Sequence, residues 1–235
     1  MKLVRLWLCL LAASTLIAQD NTNDPGPATL VITYRCVPSQ RIKLRQHMRD
    51  EGLRRFEDWR RNAILQNYRV LFSRYVDTNN WDMMLVLTFA HYSDFDKWQR
   101  VERDTPAGLP ATVLDQLLYV NTYPVDLVRQ KIADERPLRP AYLVVPYART
   151  VAPQEYLDYW DRTVRPQLEG WMAKGVLTRY DLLTQRYGAA RPWDGLLILE
   201  YKDDANMSVQ VLAQTSQHTN AEREAIIADE MVLSR

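Results

Sequence analysis

The sequence predicts an α+β protein made of two tandem copies of one unit of about 110 residues. Residues 57–87 recur 112 positions further along without a gap, with eleven identities in 31 aligned positions, where ordinary composition gives about two. The recurring residues are Glu57, Trp59, Leu65, Tyr68, Leu71, Arg74, Tyr75, Trp81, Asp82, Leu85 and Leu87. Both copies also show the same order of patterns: strand, helix, strand, strand, helix. A composition of 47% hydrophobic and 25% charged residues is typical of a globular chain.

The N-terminus has the pattern of a secretory signal. Lys2 and Arg5 precede the apolar run of residues 6–11, and the small residue Ala18 precedes a polar stretch. We therefore expect an exported protein, periplasmic or extracellular, and an uncleaved anchor is the alternative. The expected segments are a signal peptide at 1–18, a flexible leader at 19–28, a first α+β repeat at 29–136 and a second at 137–235.

The chain has two cysteines, and they predict no internal disulfide. Cys9 lies inside the signal, so Cys36 is the single thiol of the mature chain. Because Cys36 lies in an apolar strand pattern, we expect it to be buried rather than paired between chains.

Each copy opens with a strand and an amphipathic helix. Residues 29–37 form a β-type run that ends at Pro38, and the helix that follows carries an apolar stripe. The stripe is Leu44, Met48, Gly52, Phe56 and Trp59 in the first copy and Tyr156, Trp160, Val164, Leu168 and Trp171 in the second. We expect each helix to pack on its own sheet, with Trp59 and Trp171 buried, and Pro166 to kink or interrupt the second helix.

A hairpin follows the helix in each copy. Residues 65–76 and 81–90 form its strands in the first copy, and residues 177–188 and 193–202 form them in the second. The chain then has helical patterns, at 111–136 in the first copy and at 205–217 and 221–231 in the second. Neither copy shows a clear fourth strand in the sequence, although residues 231–235 could form a short one.

The twofold order of strand, helix, strand, strand and helix resembles two ferredoxin-like units, and the pair resembles the dimeric α+β barrel superfamily. There, two such units press their antiparallel sheets together and enclose a barrel, so this chain would form a fused barrel by itself. The resemblance covers about residues 29–231 and rests on the pattern of elements. The superfamily includes antibiotic-biosynthesis-type monooxygenases, haem-degrading and haem-binding enzymes, chlorite-dismutase-like proteins and small stress-responsive barrels, so the fold alone assigns no function.

We expect no cofactor and no metal. The haem proteins with the tandem form of this fold would need an axial histidine in the second half, where only His218 lies, in a polar connector. The chain has no cysteine–histidine cluster with zinc spacing and no glycine-rich phosphate loop. A formal net charge of +1 predicts no nucleic-acid partner. The mature chain is expected to lack an integral membrane segment, and its oligomeric state is left open.

The most specific polar feature is the recurrence of arginine and tyrosine in the second strand of each copy. Alternation places Tyr68 with Arg74, and Tyr180 with Arg186, on one face of each hairpin. If that face lines the barrel, the four side chains could hold a carboxylate or phenolic ligand. Otherwise each arginine lies at a strand end with its guanidinium group in water. We interpret the recurring Trp81 and Trp193 as side chains that fill the core. The recurring Asp82 and Asp194 are interpreted as hydrogen-bond acceptors in the hairpin turns.

Together these patterns predict an exported, soluble, duplicated α+β barrel protein that binds a small apolar or aromatic molecule. Two alternatives stay open: a cofactor-independent monooxygenase-like enzyme, implied by the resemblance, and a non-catalytic structural or interaction protein with a filled barrel. Catalytic residues are not predicted. A cavity of several hundred Å³ with Arg74 or Arg186 pointing into it would favour the first two functions, and a barrel filled by Phe, Tyr and Leu side chains would favour the third.

Overall fold

The computed structural model describes residues 26–77, 79–187, 192–208, 219–220 and 225–233. The strands are β1 (Ala28–Cys36), β2 (Asn67–Ser73), β3 (Met83–Phe89), β4 (Leu117–Ile132), β5 (Ala141–Arg149), β6 (Leu177–Gln185), β7 (Gly195–Tyr201), β8 (Thr219–Asn220) and β9 (Ile226–Glu230). The helices are α1 (Arg41–His47), α2 (Leu53–Arg61), α3 (Phe95–Asp104), α4 (Ala111–Leu114), α5 (Pro153–Tyr159), α6 (Arg165–Ala173) and α7 (Asp204–Ser208). Every helix in the described ranges is too short or too polar to span a lipid bilayer.

Eight of the strands close into an antiparallel barrel in the order β1-β3-β2-β9-β5-β7-β6-β4. The first half of the chain contributes β4-β1-β3-β2, and the second contributes β9-β5-β7-β6, so both halves have the order fourth, first, third, second. Two pairings join the halves, β2 with β9 and β4 with β6. The predicted hairpins are present as β2–β3 and β6–β7.

Three hydrophobic cores follow from the alternation of side chains along the strands. The outer face of the first half packs under α1, α2 and α3 around Phe56, Phe72 and Trp98. In the second half, the outer face packs under α5 and α6 around Trp160 and Tyr180. The third core lies inside the barrel. The side chains that point inward therefore decide what space the barrel leaves open.

Both long helices contain a π-helical turn at the same place, Met48–Gly52 in the first half and Trp160–Val164 in the second. The apolar stripe explains this turn, because its residues are spaced by four, four, four and then three positions. An α-helix has 3.6 residues per turn, so a run of four-residue steps rotates away from the sheet. One wider π turn brings the stripe back onto the sheet. Pro166 stands in the first turn of α6, directly after the π turn.

The helical patterns predicted for the end of each half are confirmed only at residues 111–114 and 205–208, which lie in α4 and α7, and residues 209–217 lie outside the described part of the chain. Residues 117–132 form β4, a strand of 16 residues, and residues 226–230 form β9 rather than a helix or a strand at 231–235. These are the fourth strands that the sequence did not reveal. β4 pairs with β1 through its first part and with β6 through its second, so its backbone hydrogen bonds close the barrel. That long-range pairing outweighs the local helical preference of the segment.

Burial of Cys36 is confirmed, since its side chain is 2% exposed and unpaired with another cysteine. Burial, and then the neighbouring Asp82 carboxylate, raise the pKa of this thiol to about 12. Trp59 and Trp171 are only half-buried at the edges of their cores, so the prediction of full burial was wrong. The fully buried tryptophans are Trp98 and Trp160.

Candidate functional site

An open cavity of about 560 Å³ lies at the end of the barrel where the β2–β3 and β6–β7 connections meet. We call it the mouth cavity. Its apolar walls are Trp81, Met84, Tyr123, Trp193, Leu196 and Ile226, and its polar groups include Thr33, Asp77, Asn80 and Asn121. A concave space of this size, lined by apolar and polar groups in about equal measure, is large enough to hold a small molecule.

The two halves of the chain supply matching walls to the mouth cavity. Trp81 and Met84 lie 112 positions before Trp193 and Leu196, and each pair occupies the same place in its hairpin. Both tryptophans are 8% exposed. The ring of Tyr123 on β4 lies against the ring of Trp193, with centroids 4.9 Å apart and planes at 56°. The cavity therefore offers aromatic surface from opposite sides.

An aspartate beside each tryptophan fixes its backbone at the mouth. The Asp82 carboxylate accepts a hydrogen bond from the Cys36 N–H at 2.9 Å and lies 2.7 Å from Arg41 Nε. The Asp194 carboxylate accepts one from the Arg149 N–H at 2.6 Å. Each aspartate thus ties the start of a hairpin strand to the end of the first strand of its own half. The two aspartates are hydrogen-bond acceptors as predicted, but they accept from the end of another strand and not from the hairpin turn.

The rim of the mouth cavity carries one carboxylate among the described residues that line it. Asp77 accepts a hydrogen bond from the Asn79 backbone N–H at 2.8 Å and another from Asn80. These hydrogen bonds lower the pKa of Asp77 below its ordinary value. Asp77 is therefore ionised at neutral pH and is a weak proton acceptor.

The structure places the four predicted ligand residues at separate positions. Tyr68 and Tyr180 lie on the outer faces of their sheets, where the Tyr68 hydroxyl is 3.4 Å from the Leu53 carbonyl oxygen and Tyr180 packs on Trp160. Tyr68 and Tyr180 lie on the face of their strands that the helices cover. Because side chains alternate along a strand, the next residues, Arg69 and Asp181, point into the barrel.

The two arginines form ion pairs at the ends of their strands. Arg74 Nε donates to Asp229 at 2.8 Å, and its Nη2 lies 2.6 Å from Asp204. Arg186 Nε donates to Asp126 at 3.1 Å.

The middle of the barrel is filled with aliphatic side chains. Each of the eight strands contributes one: Val31, Leu71, Val86, Val125, Val144, Leu183, Ile198 and Ala228. All of them are buried. This apolar layer closes the inner end of the mouth cavity and separates it from the polar groups at the opposite end of the barrel.

At that opposite end, Arg69 on β2 forms an ion pair with Asp181 on β6. These two strands lie four apart in the closed order of eight, so the pair spans the barrel. Asp181 also accepts from Gln130 Nε2 at 2.6 Å and from Arg179 Nε at 2.9 Å. Burial raises the pKa of the Asp181 carboxyl, but Arg69, Arg179 and Gln130 outweigh burial and hold it below its ordinary value. The pair is therefore charged at neutral pH.

A second polar group lies next to this ion pair. The Tyr142 hydroxyl is 2.7 Å from Glu200 Oε2 and 2.6 Å from Glu230 Oε2, and Thr178 donates to Glu200 Oε1 at 2.7 Å. Burial and the two carboxylates raise the pKa of Tyr142, so its hydroxyl keeps its proton. The barrel thus has an aromatic end and a charged end.

Neither the family models nor the curated proteins searched include a match to this chain. Solved structures do match. A candidate monooxygenase from Lactobacillus acidophilus has a TM-score of 0.55 at 12% identity, over 87% of this chain and 94% of that one. An anthrone oxidase-like protein has a TM-score of 0.54 at 10% identity, over 89% and 92%. Chlorite dismutase from Candidatus Nitrospira defluvii has a TM-score of 0.52 at 12% identity, over 87% and 91%.

These similarities confirm the fold-level resemblance to the dimeric α+β barrel superfamily. At 10–12% identity they show the fold and leave the function to the site. His218, which the haem members would require, lies outside the described residues.

Proposed function

We propose that this protein binds a small aromatic molecule in the mouth cavity. The observation that carries the proposal is the pair Trp81 and Trp193, which come from equivalent places in the two halves and face one cavity of about 560 Å³. Aromatic side chains supply a large apolar contact and favour offset or edge-to-face stacking with another ring. The apolar layer below the cavity would limit how deeply the ligand enters. The structural or interaction role stays open as the alternative, because aliphatic side chains fill the middle of the barrel and neither Arg74 nor Arg186 lines the cavity.

The polar lining supports a neutral ligand. Thr33, Asn80 and Asn121 can donate to or accept from a hydroxyl or carbonyl group. The described residues that line the cavity include the Asp77 carboxylate and no arginine or lysine, which disfavours an anionic ligand. The fold similarity to an anthrone oxidase-like protein supports the same class, a polycyclic aromatic with few polar groups. The ligand-binding role predicted for Tyr68, Arg74, Tyr180 and Arg186 stays a prediction.

Removing either mouth tryptophan should weaken binding of an aromatic probe. We expect Trp81→Leu and Trp193→Leu each to raise the dissociation constant for anthrone by about tenfold, because a leucine keeps apolar volume but loses the stacking surface. Isothermal titration calorimetry measures the change. Trp171→Leu is the matched control, since Trp171 packs against the outer core, and it should bind as the wild type does. If the two mouth variants bind anthrone unchanged, the cavity is not the binding site.

The enzymatic alternative is a cofactor-independent oxidation in the same cavity, supported by the fold of the candidate monooxygenase. An activated methylene group of the ligand would become a carbonyl by taking one oxygen atom from O2, while the second oxygen atom and the two methylene hydrogens leave as water. Such a reaction begins with removal of a proton from the ligand, and Asp77 is a weak base for this step. Binding without turnover is therefore the better supported function.

Oxygen uptake separates the two functions. If the protein only binds, an oxygen electrode should record the same rate with anthrone in the presence of the wild type and of the Trp81→Leu variant. Uptake that depends on the wild-type cavity, with one O2 consumed per carbonyl formed, would establish the enzyme instead.

We further propose that the chain is exported, as the pattern of residues 1–18 predicts, and that its two halves are tandem ferredoxin-like repeats. The matching strand orders of the two halves support the second proposal. Export would place the mouth cavity in contact with molecules outside the cytoplasm.

A further inference from the structure

A groove of about 750 Å³ lies at the charged end of the barrel, away from the mouth cavity. We call it the basic groove. Its cationic residues are Arg60, Arg69, Arg136 and Arg179, and its carboxylates are Glu57 and Glu230. Its apolar wall includes Leu127, Ile132 and Val232. The groove and the mouth cavity share no lining residue, so the two sites can be tested separately.

The charges of the basic groove are not balanced within it. Arg60 Nη2 lies 2.7 Å from Glu57, so these two neutralise each other. Arg179 already binds Asp181. Arg136 is exposed and forms no ion pair with the described residues. Four arginines thus stand against three carboxylates, Glu57, Glu230 and the adjoining Asp181, so the described part of the groove has a surplus of one positive charge, which favours an anionic ligand.

A buried donor in the groove also lacks a partner. Arg69 is 5% exposed, and its Nη1 has no hydrogen-bond partner among the described residues, although Nη2 binds Asp181. A buried, unpaired guanidinium N–H costs free energy, so a ligand or water that accepts from it is favoured. A small void of about 20 Å³, lined by Arg69, Thr88 and Arg179, adjoins the groove and has room for one water. Because Arg69 Nη1 has almost no accessible surface, an acceptor in the groove reaches it through a water in that void.

The apolar wall defines the rest of the ligand. Leu127, Ile132 and Val232 are 39%, 55% and 62% exposed beside the arginines. An apolar chain laid on them would remove this surface from water. Glu230 in the same groove disfavours a ligand with two negative charges. The chemistry that fits is one negative charge at the end of an apolar tail.

We propose that the basic groove is a second ligand site, which takes a small organic carboxylate with an apolar tail. The carboxylate lies at Arg136 and Arg179 and is linked to the unpaired Arg69 Nη1 through the water in the adjoining void, and the tail covers Leu127 and Ile132. A guanidinium binds a carboxylate through paired hydrogen bonds, which fixes the orientation of the ligand.

Octanoate tests the proposal by isothermal titration calorimetry on the purified protein. We expect one octanoate per chain, binding that weakens as salt is raised, and an affinity about tenfold lower in Arg136→Ala, since one charge-assisted contact is lost. Arg139→Ala is the matched control, because Arg139 is exposed close by in the chain but does not line the groove, and its affinity should equal that of the wild type. 1-Octanol, which has the tail without the charge, should not bind measurably.

Three results would overturn the proposal: no octanoate binding to the wild type, unchanged affinity in Arg136→Ala, or equal affinity for 1-octanol. The Trp81→Leu variant should bind octanoate normally. Loss of octanoate binding in that variant would mean that octanoate occupies the mouth cavity, and it would also reject the second site.

Discussion

Replacing Trp160 by alanine should lower the free energy of unfolding by about 3–5 kcal/mol, the usual cost of deleting a large aromatic side chain from a core. Trp160 is 1% exposed, and its ring lies edge-on to Tyr180 with centroids 5.5 Å apart. Its indole N–H has no hydrogen-bond partner among the described residues, so the expected loss comes from packing and the cavity left behind. Urea denaturation measures the change.

Trp171→Ala is the control on the same helix. Because Trp171 is half-buried, we expect a smaller loss of about 1–2 kcal/mol. Equal losses in the two variants would contradict the placement of Trp160 in the middle of the core and Trp171 at its edge.

Breaking the ion pair across the barrel is the second large effect that we expect. Asp181→Asn leaves Arg69 charged and buried without its counter-ion, which costs about 3–5 kcal/mol in buried pairs. The double variant Arg69→Met with Asp181→Leu removes both charges, so it should recover most of that loss. Chemical denaturation of Arg69→Met, of Asp181→Leu and of the double variant gives the coupling free energy. A double variant as unstable as the sum of the singles would show that the pair is not coupled.

The ion pair also sets a dependence on acid. The pKa of Asp181 is lower in the folded protein than the value of about 3.9 of an unfolded aspartate. The ionised pair therefore stabilises the fold at pH values above about 4, and that contribution is lost as the pH falls through the folded pKa. Asp181→Asn removes the titrating group, so its unfolding free energy should change less than that of the wild type as the pH is lowered below about 4.

The parts of the fold that local patterns specify were predictable. The gap-free recurrence located both hairpins, and the stripe that includes Leu44 and Tyr156 located both long helices. The same stripe contains the signal for the π turns, since three consecutive four-residue steps do not suit a regular α-helix. In contrast, β4 and β9 depend on partners far along the chain, and the helix-forming residues that surround Ile132 and Ile227 hid them.

The candidate site was only partly predictable. Recurrence singled out Trp81 and Trp193, but a buried plug and a cavity wall have the same sequence pattern. The inward direction of each strand could not be derived from alternation alone, because both faces of these strands are buried. Arg69 and Asp181 were not predicted, because the recurrence consists of identical residues. At this position one half has an arginine and the other has an aspartate.

The opposite charges of Arg69 and Asp181 show what a single chain gains over a dimer of identical subunits. Positions 69 and 181 are equivalent in the two halves and face each other across the barrel. In a homodimer of identical subunits, a residue on the twofold axis meets its own copy, so arginine would face arginine or aspartate would face aspartate. Such like charges repel when they are buried. Joining the halves covalently removes the symmetry requirement, and each half can then carry the complement that the other needs.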